Sequence, residues 1–543
     1  MAALLATVRP LVSEVLLRVL DRISELLLFV ANLTHRRHRV QGTRDPLLLA
    51  PAVVLADAIR HGRVTSESVI HAYERRVREV DPVINAVVDQ RFEDALQEAR
   101  AADELVRRSS PEELERTKPL LGVPFITKNS VMVKGLIVDV GLPAWRGDRA
   151  ERDAEAVRML REAGAIPVAT TNTPELCLWT ESFNKLHGCT LNPHDTRRTA
   201  GGSSGGEGSL LSAAGAVLGI GTDIGGSIRI PSTYCGTFGH MTTPGVRCAR
   251  DVAQASSSDD GHRHPFNEEF MKLYSTGPMT RYACDLLAML KVMLPPEQLA
   301  RMQLDKKVDL SEIKVFYADD EGCSFFSRVH PDMREAVRKA AGHLKEQHGV
   351  RAEPIRLEAL SCGFEMWLSK FSASKCEPAS RLFTNADGRT ISPWMETLRI
   401  LCGRSVHTFP AVLVTLIERM LPKPDSDYVL RYLAMARNFQ ERLLSSLGED
   451  GVLICPATLG PAPFHNEHAM RPGQVSLTAP ANVAGLPATA VPTGMTSDGR
   501  PIGVQVIAAP YMDRLCLAVA EELEKAFGGW QAPFDIAIKT AKL

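Results

Sequence analysis

Residues 199–232 read TAGGSSGGEGSLLSAAGAVLGIGTDIGGSIRIPS. Three ordinary readings of so many glycines and serines fail. A dinucleotide loop requires GxGxxG, but Gly219 and Gly221 are followed by Ile224 where the third glycine should stand. A phosphate cradle requires GK[ST], which this stretch lacks. Gly201 to Gly205 spells GxSxG with Ser203 at its tip, yet a nucleophile elbow follows a buried strand, and the preceding LNPHDTRRTA is polar and turn-rich. What remains is the pairing of serines with flanking glycines. Gly225 and Gly226 just before Ser227 allow successive amides to converge on one point, as in an anion-binding nest. A carbonyl attacked by a serine at the end of that nest develops its oxyanion among those amides, which nominates Ser227 as nucleophile. The glycines around Ser203 and Ser204 likewise admit a sterically costly backbone there.

The stretch contains no histidine to act as base. Upstream, GVPFITKNS places Lys128 at the end of an apolar run, where burial disfavours its charge. To serve as a general base its pKa must fall from ~10.4 to roughly 7 or 8. The ordinary fate of a lone lysine is instead a solvated surface cation.

The rest of the chain sets the frame. Its 543 residues are 45% hydrophobic and 23% charged, with 63 Lys and Arg against 64 Asp and Glu. That balance suits a large globular core and argues against a nucleic-acid partner. The 11 cysteines are scattered singly, without a CxxC pair, which points to a reducing compartment and no disulfide frame. Cys177, Cys235 and Cys455 read as small core residues. His262 and His264 in DDGHRHP read as a solvated loop, so no metal and no cofactor is expected.

Short apolar runs bounded by Gly and Pro (GVPFITK, AIPVATT, GVLICPA, ATAVPTG and IGVQVIAA) alternate with helical patterns. They predict an α/β fold, a large mixed twisted sheet covered by helices on both faces. Thr65 predicts a helix start and Asp81-Pro82 its stop, and DALQEARAADELVRR continues as a surface helix. HTFPAVLVTLIERM, from His407 to Met420, reads as a buried helix, the alternative being a membrane-facing patch beside a substrate entrance. Residues 250–267 read as a polar loop.

Residues 1–33 are apolar but carry Glu14, Arg18, Asp21, Arg22 and Glu25 on one helical face. This favours an amphipathic anchor lying in the membrane surface over a spanning helix or one docked on the body. His35 to Val40, HRRHRV, then faces anionic lipid heads. The chain thus divides into residues 1–40, a membrane-associating helix with a basic segment, and 41–543, a catalytic domain. An intracellular, membrane-associated location follows. Ala541-Lys542-Leu543 differs by one residue type from the peroxisomal address SKL, which makes peroxisomal import the minor alternative.

Taken together, GVPFITK, GGSSGGEGSLL and GIGTDIGGSIRIPSTYCGTFG resemble the amidase signature family, and the resemblance extends from about Leu55 through ANVAGLPATAVPTGMTSDGRPIGVQVIAAPYMDRLCLAVAEELE. SFNKLHGCTLNPHDTRRTAGGSSGGEG and the apolar N-terminus are most similar to the type 2 branch of the fatty-acid amide hydrolases. The resemblance implies a Ser-Ser-Lys triad: Lys128 as general base, Ser203 as bridging serine associated with a cis peptide bond, and Ser227 as acylated nucleophile. It implies an oxyanion hole from the amides of Ile224, Gly225, Gly226 and Ser227, with Ser204 supporting and Asp223 and Arg229 structural. The implied substrate is a small lipophilic carboxylic amide delivered from a membrane, and a homodimer is compatible with it. Short-chain or aryl amidase, glutamine-dependent amidotransferase subunit and catalytically silent membrane scaffold are the competing readings. Two departures from the family pattern bear on rate and pocket shape. Met241 stands where a lysine is usual, and Asn129 and Ser130 follow Lys128 where an acidic residue is common.

Overall fold

The computed structural model describes residues 37–245, 269, 272–319, 328–384, 390–470 and 472–536. The expected N-terminal amphipathic helix, the 250–267 loop and the C-terminal tripeptide lie outside them. In chain order the strands are β1 (Val87–Gln90), β2 (Pro124–Lys128), β3 (Ile166–Thr171), β4 (Phe183–Asn184), β5 (Gly188–Cys189), β6 (Leu218–Asp223) and β7 (Phe238–Met241). They continue with β8 (Ser275–Thr280), β9 (Lys314–Tyr317), β10 (Ala352–Pro354), β11 (Gly451–Pro456), β12 (Ala488–Met495) and β13 (Pro501–Ala508). β4 and β5 pair with each other, and the others form an 11-stranded sheet ordered β1-β3-β2-β6-β8-β7-β12-β13-β11-β9-β10. Parallel runs β3-β2-β6 and β11-β9-β10 flank an antiparallel centre. The sheet is therefore mixed, as expected.

Alternating side chains of a strand face opposite sides of a sheet. Here Phe125 and Ile126 of β2 enter different apolar clusters, as do Val452 and Ile454 against Leu453 and Cys455 of β11. Both faces are thus covered, which is why these strands read as continuous apolar runs. All five such runs became strands: β2, β3, β11, β12 and β13. β6 escaped the sequence reading because Gly219 and Gly221 weaken strand propensity. The structure shows why a glycine is needed: a Cβ on Gly221 would stand 2.7 Å from Met279 Sδ.

Thr65 caps the helix Ser66–Ile84 as expected, its side chain accepting from the Ser68 amide. The expected stop at Asp81-Pro82 is corrected: the helix runs through Pro82 to Ile84 and ends on Asn85 in the left-handed region (φ 49°). The Asp81 carboxylate accepts the amides of Ala86 and Val87 at 2.7 and 2.9 Å, so it fixes the exit of the chain after the last turn rather than ending the helix itself.

The buried reading of HTFPAVLVTLIERM is also corrected. It forms the helix Phe409–Met420 but buries only Ala411, Val412 and Thr415, while Phe409 and Met420 are 50% and 82% exposed. The helix Pro393–Leu401 packs beside it and presents Trp394, Met395, Leu398 and Leu401, spaced along one helical face, to the outside. No helix among the described residues is long and apolar enough to cross a membrane.

Candidate active site

Lys128 ends β2, an entirely buried strand between β3 and β6, and its side chain is 0% exposed. It is therefore no surface cation. Its Nζ donates to Ser203 Oγ at 2.7 Å and to Thr222 Oγ1 of β6 at 2.9 Å. Ser203 lies in an irregular turn before the helix Gly205–Ser212, and the Gly202–Ser203 peptide bond is cis. A Cβ on Gly202 would meet the Glu181 amide nitrogen at 2.7 Å, so only glycine fits there. The Ser203 carbonyl accepts from Thr173 Oγ1 at 2.9 Å and Ser182 Oγ at 3.3 Å. No strand leads into Ser203, which removes the nucleophile-elbow geometry.

The next residue ties this turn to the nest: the Ser204 amide donates to the Ser227 carbonyl at 3.1 Å. The structure thus draws Lys128, Ser203 and Ser227 to one end of the β2–β6 pair. Ser203 is buried behind, whereas Ser227 lines a cavity.

The nest is held by a buried ion pair. The Asp223 carboxylate accepts the Gly226 amide at 2.6 Å, the Ile228 amide at 3.0 Å, Asn482 Nδ2 at 3.0 Å, and Arg229 at 3.1 and 3.0 Å. Burial raises the Asp223 carboxyl, but the Arg229 charge and these hydrogen bonds outweigh it and hold the group below the ordinary carboxylate range. Arg229 also donates to the Thr478 carbonyl, Gln505 Oε1 and Asn482 Oδ1 at 2.6 to 2.9 Å. This agrees with a structural part for both residues. Because the Gly226 amide is already given to Asp223, the expected oxyanion quartet narrows. The amides of Ile224, Gly225 and Ser227 have no acceptor among the described residues.

Two residues that the sequence reading did not single out hold carbonyls of the nest. Trp367 Nε1 donates to the Ile224 carbonyl at 2.8 Å. In a trans peptide the next N–H points the opposite way, so this bond aims the Gly225 amide. Thr478 Oγ1 donates to the Gly225 carbonyl at 2.5 Å. The only sequence signal for Trp367 was an aromatic side chain recurring at helical spacing with Phe364 and Phe371, with which it stacks.

The cavity beyond Ser227 is lined by Ile224 and Gly225 of the nest, by Phe364, Trp367, Leu368 and Phe371 of the helix Gly363–Ala373, and by Val414 and Ile417 of the helix Phe409–Met420 with Leu421 just after it. Its polar members are few. Glu418 is engaged by the Ala379 and Ser380 amides at 2.6 and 3.1 Å. His468 meets Thr180 Oγ1 at 2.9 Å and the Tyr234 hydroxyl at 3.3 Å, and burial pushes its imidazole down to about 3. Cys235 and Cys455 are core residues as expected, but Cys177 is corrected: it is partly exposed and lines this cavity, against Thr173 Oγ1 at 3.2 Å.

Both sequence departures serve packing. Met241 is buried, and its Sδ meets Asn482 Nδ2 at 3.1 Å. Asn129 accepts from the Val140 amide at 2.8 Å and donates to Asp139 at 3.3 Å, fixing the chain beyond Lys128.

Known proteins share this chain's sequence pattern and fold. The Amidase family pattern matches residues 68–517. Fatty-acid amide hydrolase 2 of Homo sapiens is 38% identical over 497 residues, covering 90% of this chain and 91% of that protein. Fatty-acid amide hydrolase 2-A of Danio rerio is 38% identical over 520 residues, covering 94% and 95%. Among solved structures, 6-aminohexanoate cyclic dimer hydrolase complexed with substrate shares the fold with a TM-score of 0.70 at 24% identity, covering 88% of this chain and 97% of that one. A sheet of this order, a buried lysine on a serine and a family match across most of the chain agree: the chain belongs to the amidase signature family and is an amide hydrolase.

Proposed function

We propose that the chain hydrolyses long-chain fatty-acid amides to free acid and amine through an acyl-enzyme on Ser227. One observation carries the reading: a fully buried Lys128–Ser203 hydrogen bond stands behind a serine that opens onto an apolar cavity. In this mechanism the neutral Lys128 amine accepts the Ser203 proton, Ser203 takes that of Ser227, and Ser227 Oγ bonds to the amide carbon. The carbonyl electrons move to oxygen, where the amides of Ile224, Gly225 and Ser227 receive them. The relay then runs backward and protonates the leaving nitrogen as the carbon–nitrogen bond breaks. Water, deprotonated by the same relay, cleaves the ester and frees Ser227.

The lining supports this substrate class. A glutamine substrate would bring a carboxylate, and no Lys or Arg lines the cavity among the described residues. An acyl chain fits Phe364, Trp367, Phe371 and Val414, each buried CH₂ contributing ~0.8 kcal/mol. The helix Phe409–Met420 lends Val414 and Ile417 to the cavity wall and the helix Pro393–Leu401 packs beside it, and we infer that their exposed apolar faces meet a lipid surface from which the substrate enters. The N-terminal 33 residues are assigned to the same surface, with Arg37, His38 and Arg39 exposed beside it in sequence.

Fluorophosphonate labelling followed by peptide mass spectrometry tests the nucleophile. The expected adduct is on Ser227. An adduct on Ser203 overturns the assignment, and labelling of neither favours the silent scaffold.

A further inference from the structure

Besides Ser227, the cavity wall carries Cys177, Thr180, Glu418 and His468, none of which takes part in the mechanism above. Cys177 meets Thr173 Oγ1, and Glu418 stands on the helix Phe409–Met420 with its oxygens on the Ala379 and Ser380 amides. Thr180 is the half-buried end of a longer chain of contacts. Its Oγ1 meets His468 Nδ1 at 2.9 Å, His468 Nε2 meets the Tyr234 hydroxyl at 3.3 Å, and Tyr234 donates to Gln474 Oε1 at 3.1 Å.

Thr180 also stands beside the serines. A Cβ on Gly202 would lie 2.8 Å from the Thr180 carbonyl carbon, so Thr180 packs on the residue that precedes Ser203. In the proposed mechanism Ser203 returns the proton to the leaving nitrogen, which puts the nitrogen half of a bound amide on its side of Ser227. A planar secondary amide turns its N–H away from its carbonyl oxygen. With that oxygen among the nest amides, the N–H is directed out of the nest.

Hydrogen counting gives the Thr180 hydroxyl a direction. Tyr234 has one hydroxyl proton and gives it to Gln474, so toward His468 Nε2 its oxygen can only accept. Nε2 therefore carries a proton. His468 is 1% exposed, and burial holds its imidazole neutral, with a single N–H. Nδ1 is then a lone pair, and it accepts the Thr180 hydroxyl. Glu181 Oε1 stands 3.6 Å from Nδ1, outside hydrogen-bond reach, and accepts the His468 backbone amide instead. What Thr180 Oγ1 has left is lone pairs, so it can accept from a substrate and has no proton to give.

We propose that Thr180 is a specificity-determining residue for the nitrogen half of the substrate: its Oγ1, turned by His468 into an acceptor, takes the amide N–H. Amides that carry an N–H are thereby favoured over tertiary amides, which leave Oγ1 facing an alkyl group. The proposal rests on Ser227 being the nucleophile and Ser203 the relay.

The test compares two reactions of Ser227 in wild type, Thr180→Val and Thr180→Ser: kcat/KM for a secondary acyl anilide, and the rate of labelling by a fluorophosphonate, which brings no N–H. Val keeps the branched shape and loses the hydroxyl, whereas Ser keeps the hydroxyl. In Thr180→Val the anilide reaction is expected to fall about tenfold further than the labelling rate, and Thr180→Ser is expected to restore the wild-type ratio. Methylating the anilide nitrogen is expected to cost wild type about tenfold more in kcat/KM than it costs Thr180→Val. Equal falls in both reactions, or an equal cost of methylation in both proteins, overturn the proposal and leave Thr180 a packing residue. Thr180→Ala serves in the same comparison if the valine variant does not fold. The site of the wild-type label separates the two readings: a label away from Ser227 removes the mechanism itself, whereas a label on Ser227 with unmoved ratios removes only the assignment of Thr180.

Discussion

The two ends of the cavity are built by opposite physics. At the Ser227 end polar groups hold one another: Asp223 and Arg229, the Gly225 and Ile224 carbonyls with Thr478 and Trp367, Lys128 with Ser203 and Thr222. At the other end, the helix Phe409–Met420 and the helix Pro393–Leu401 packed beside it bury only part of their apolar surface, leaving Trp394 and Leu401 at 65% and 78% exposure. A centre that must hold a transition state tolerates little misplacement. An entrance that meets a lipid surface needs exposed apolar area instead. On the proposed mechanism, rigidity falls where charge develops and incomplete burial where substrate enters.

Breaking the locked end is expected to have the largest effect. Ser227→Ala and Lys128→Ala should each lower kcat/KM by roughly a thousandfold or more, measured on a soluble amide, with the melting temperature little changed for the serine. A subtler cut tests the lock itself. Trp367→Phe keeps an aromatic wall but loses the bond to the Ile224 carbonyl. It is expected to lower kcat by about tenfold to a hundredfold, with a smaller change in KM. An equal change in KM instead would make Trp367 a wall and nothing more.

Buried ionisable groups elsewhere in the fold should also show in stability against pH. Burial pushes the His194 imidazole from 6.5 down to about 4, so the folded chain stays neutral there while the unfolded chain takes up a proton. Stability is therefore lost as pH falls from 6.5 toward 4, by on the order of 3 kcal/mol for this group. Glu181, raised to about 7 by burial, acts in the opposite sense between pH 4.5 and 7. The comparison of His194→Gln with wild type isolates the histidine: its unfolding free energy should vary less between pH 6.5 and 4, and an unchanged slope in denaturant titrations would refute the assignment.

The smallest effect is expected at the open end. Trp394→Glu with Leu401→Glu should weaken cosedimentation with lipid vesicles severalfold and raise KM for a vesicle-borne long-chain amide, while sparing a water-soluble one. Equal effects on both substrates would show that the patch supports the fold rather than a surface. Removing residues 1–33 should add to the loss of cosedimentation without touching the soluble reaction.

Much of the locked end was legible. Glycine pairs beside serines, and a lysine closing an apolar run, are local signals, and Lys128, Ser203 and Ser227 stand close together on the fold as that reading required. What stayed hidden is what depends on distant partners. Gly226 looked like an oxyanion donor until Asp223 was found to hold its amide. Trp367 and Thr478 act through backbone carbonyls, and hydrogen bonds of that kind leave no pattern in the chain. The helix Phe409–Met420 read as buried because its composition is apolar, and composition cannot distinguish a face against the core from one left open beside a cavity. Pro82 misled for a local reason: a missing N–H costs one bond, and the Asp81 side chain with Asn85 secures the exit two residues later.

The Arg229 contacts have a consequence for how the enzyme matures. The proposed nucleophile, bridging serine and base all precede residue 228, yet the guanidinium that braces their nest is held by Thr478, Asn482 and Gln505. A chain ending at residue 477 is expected to take no fluorophosphonate label. On that reading the emerging polypeptide would carry Ser227 through most of translation unarmed, becoming a hydrolase only when its last strands reach the sheet.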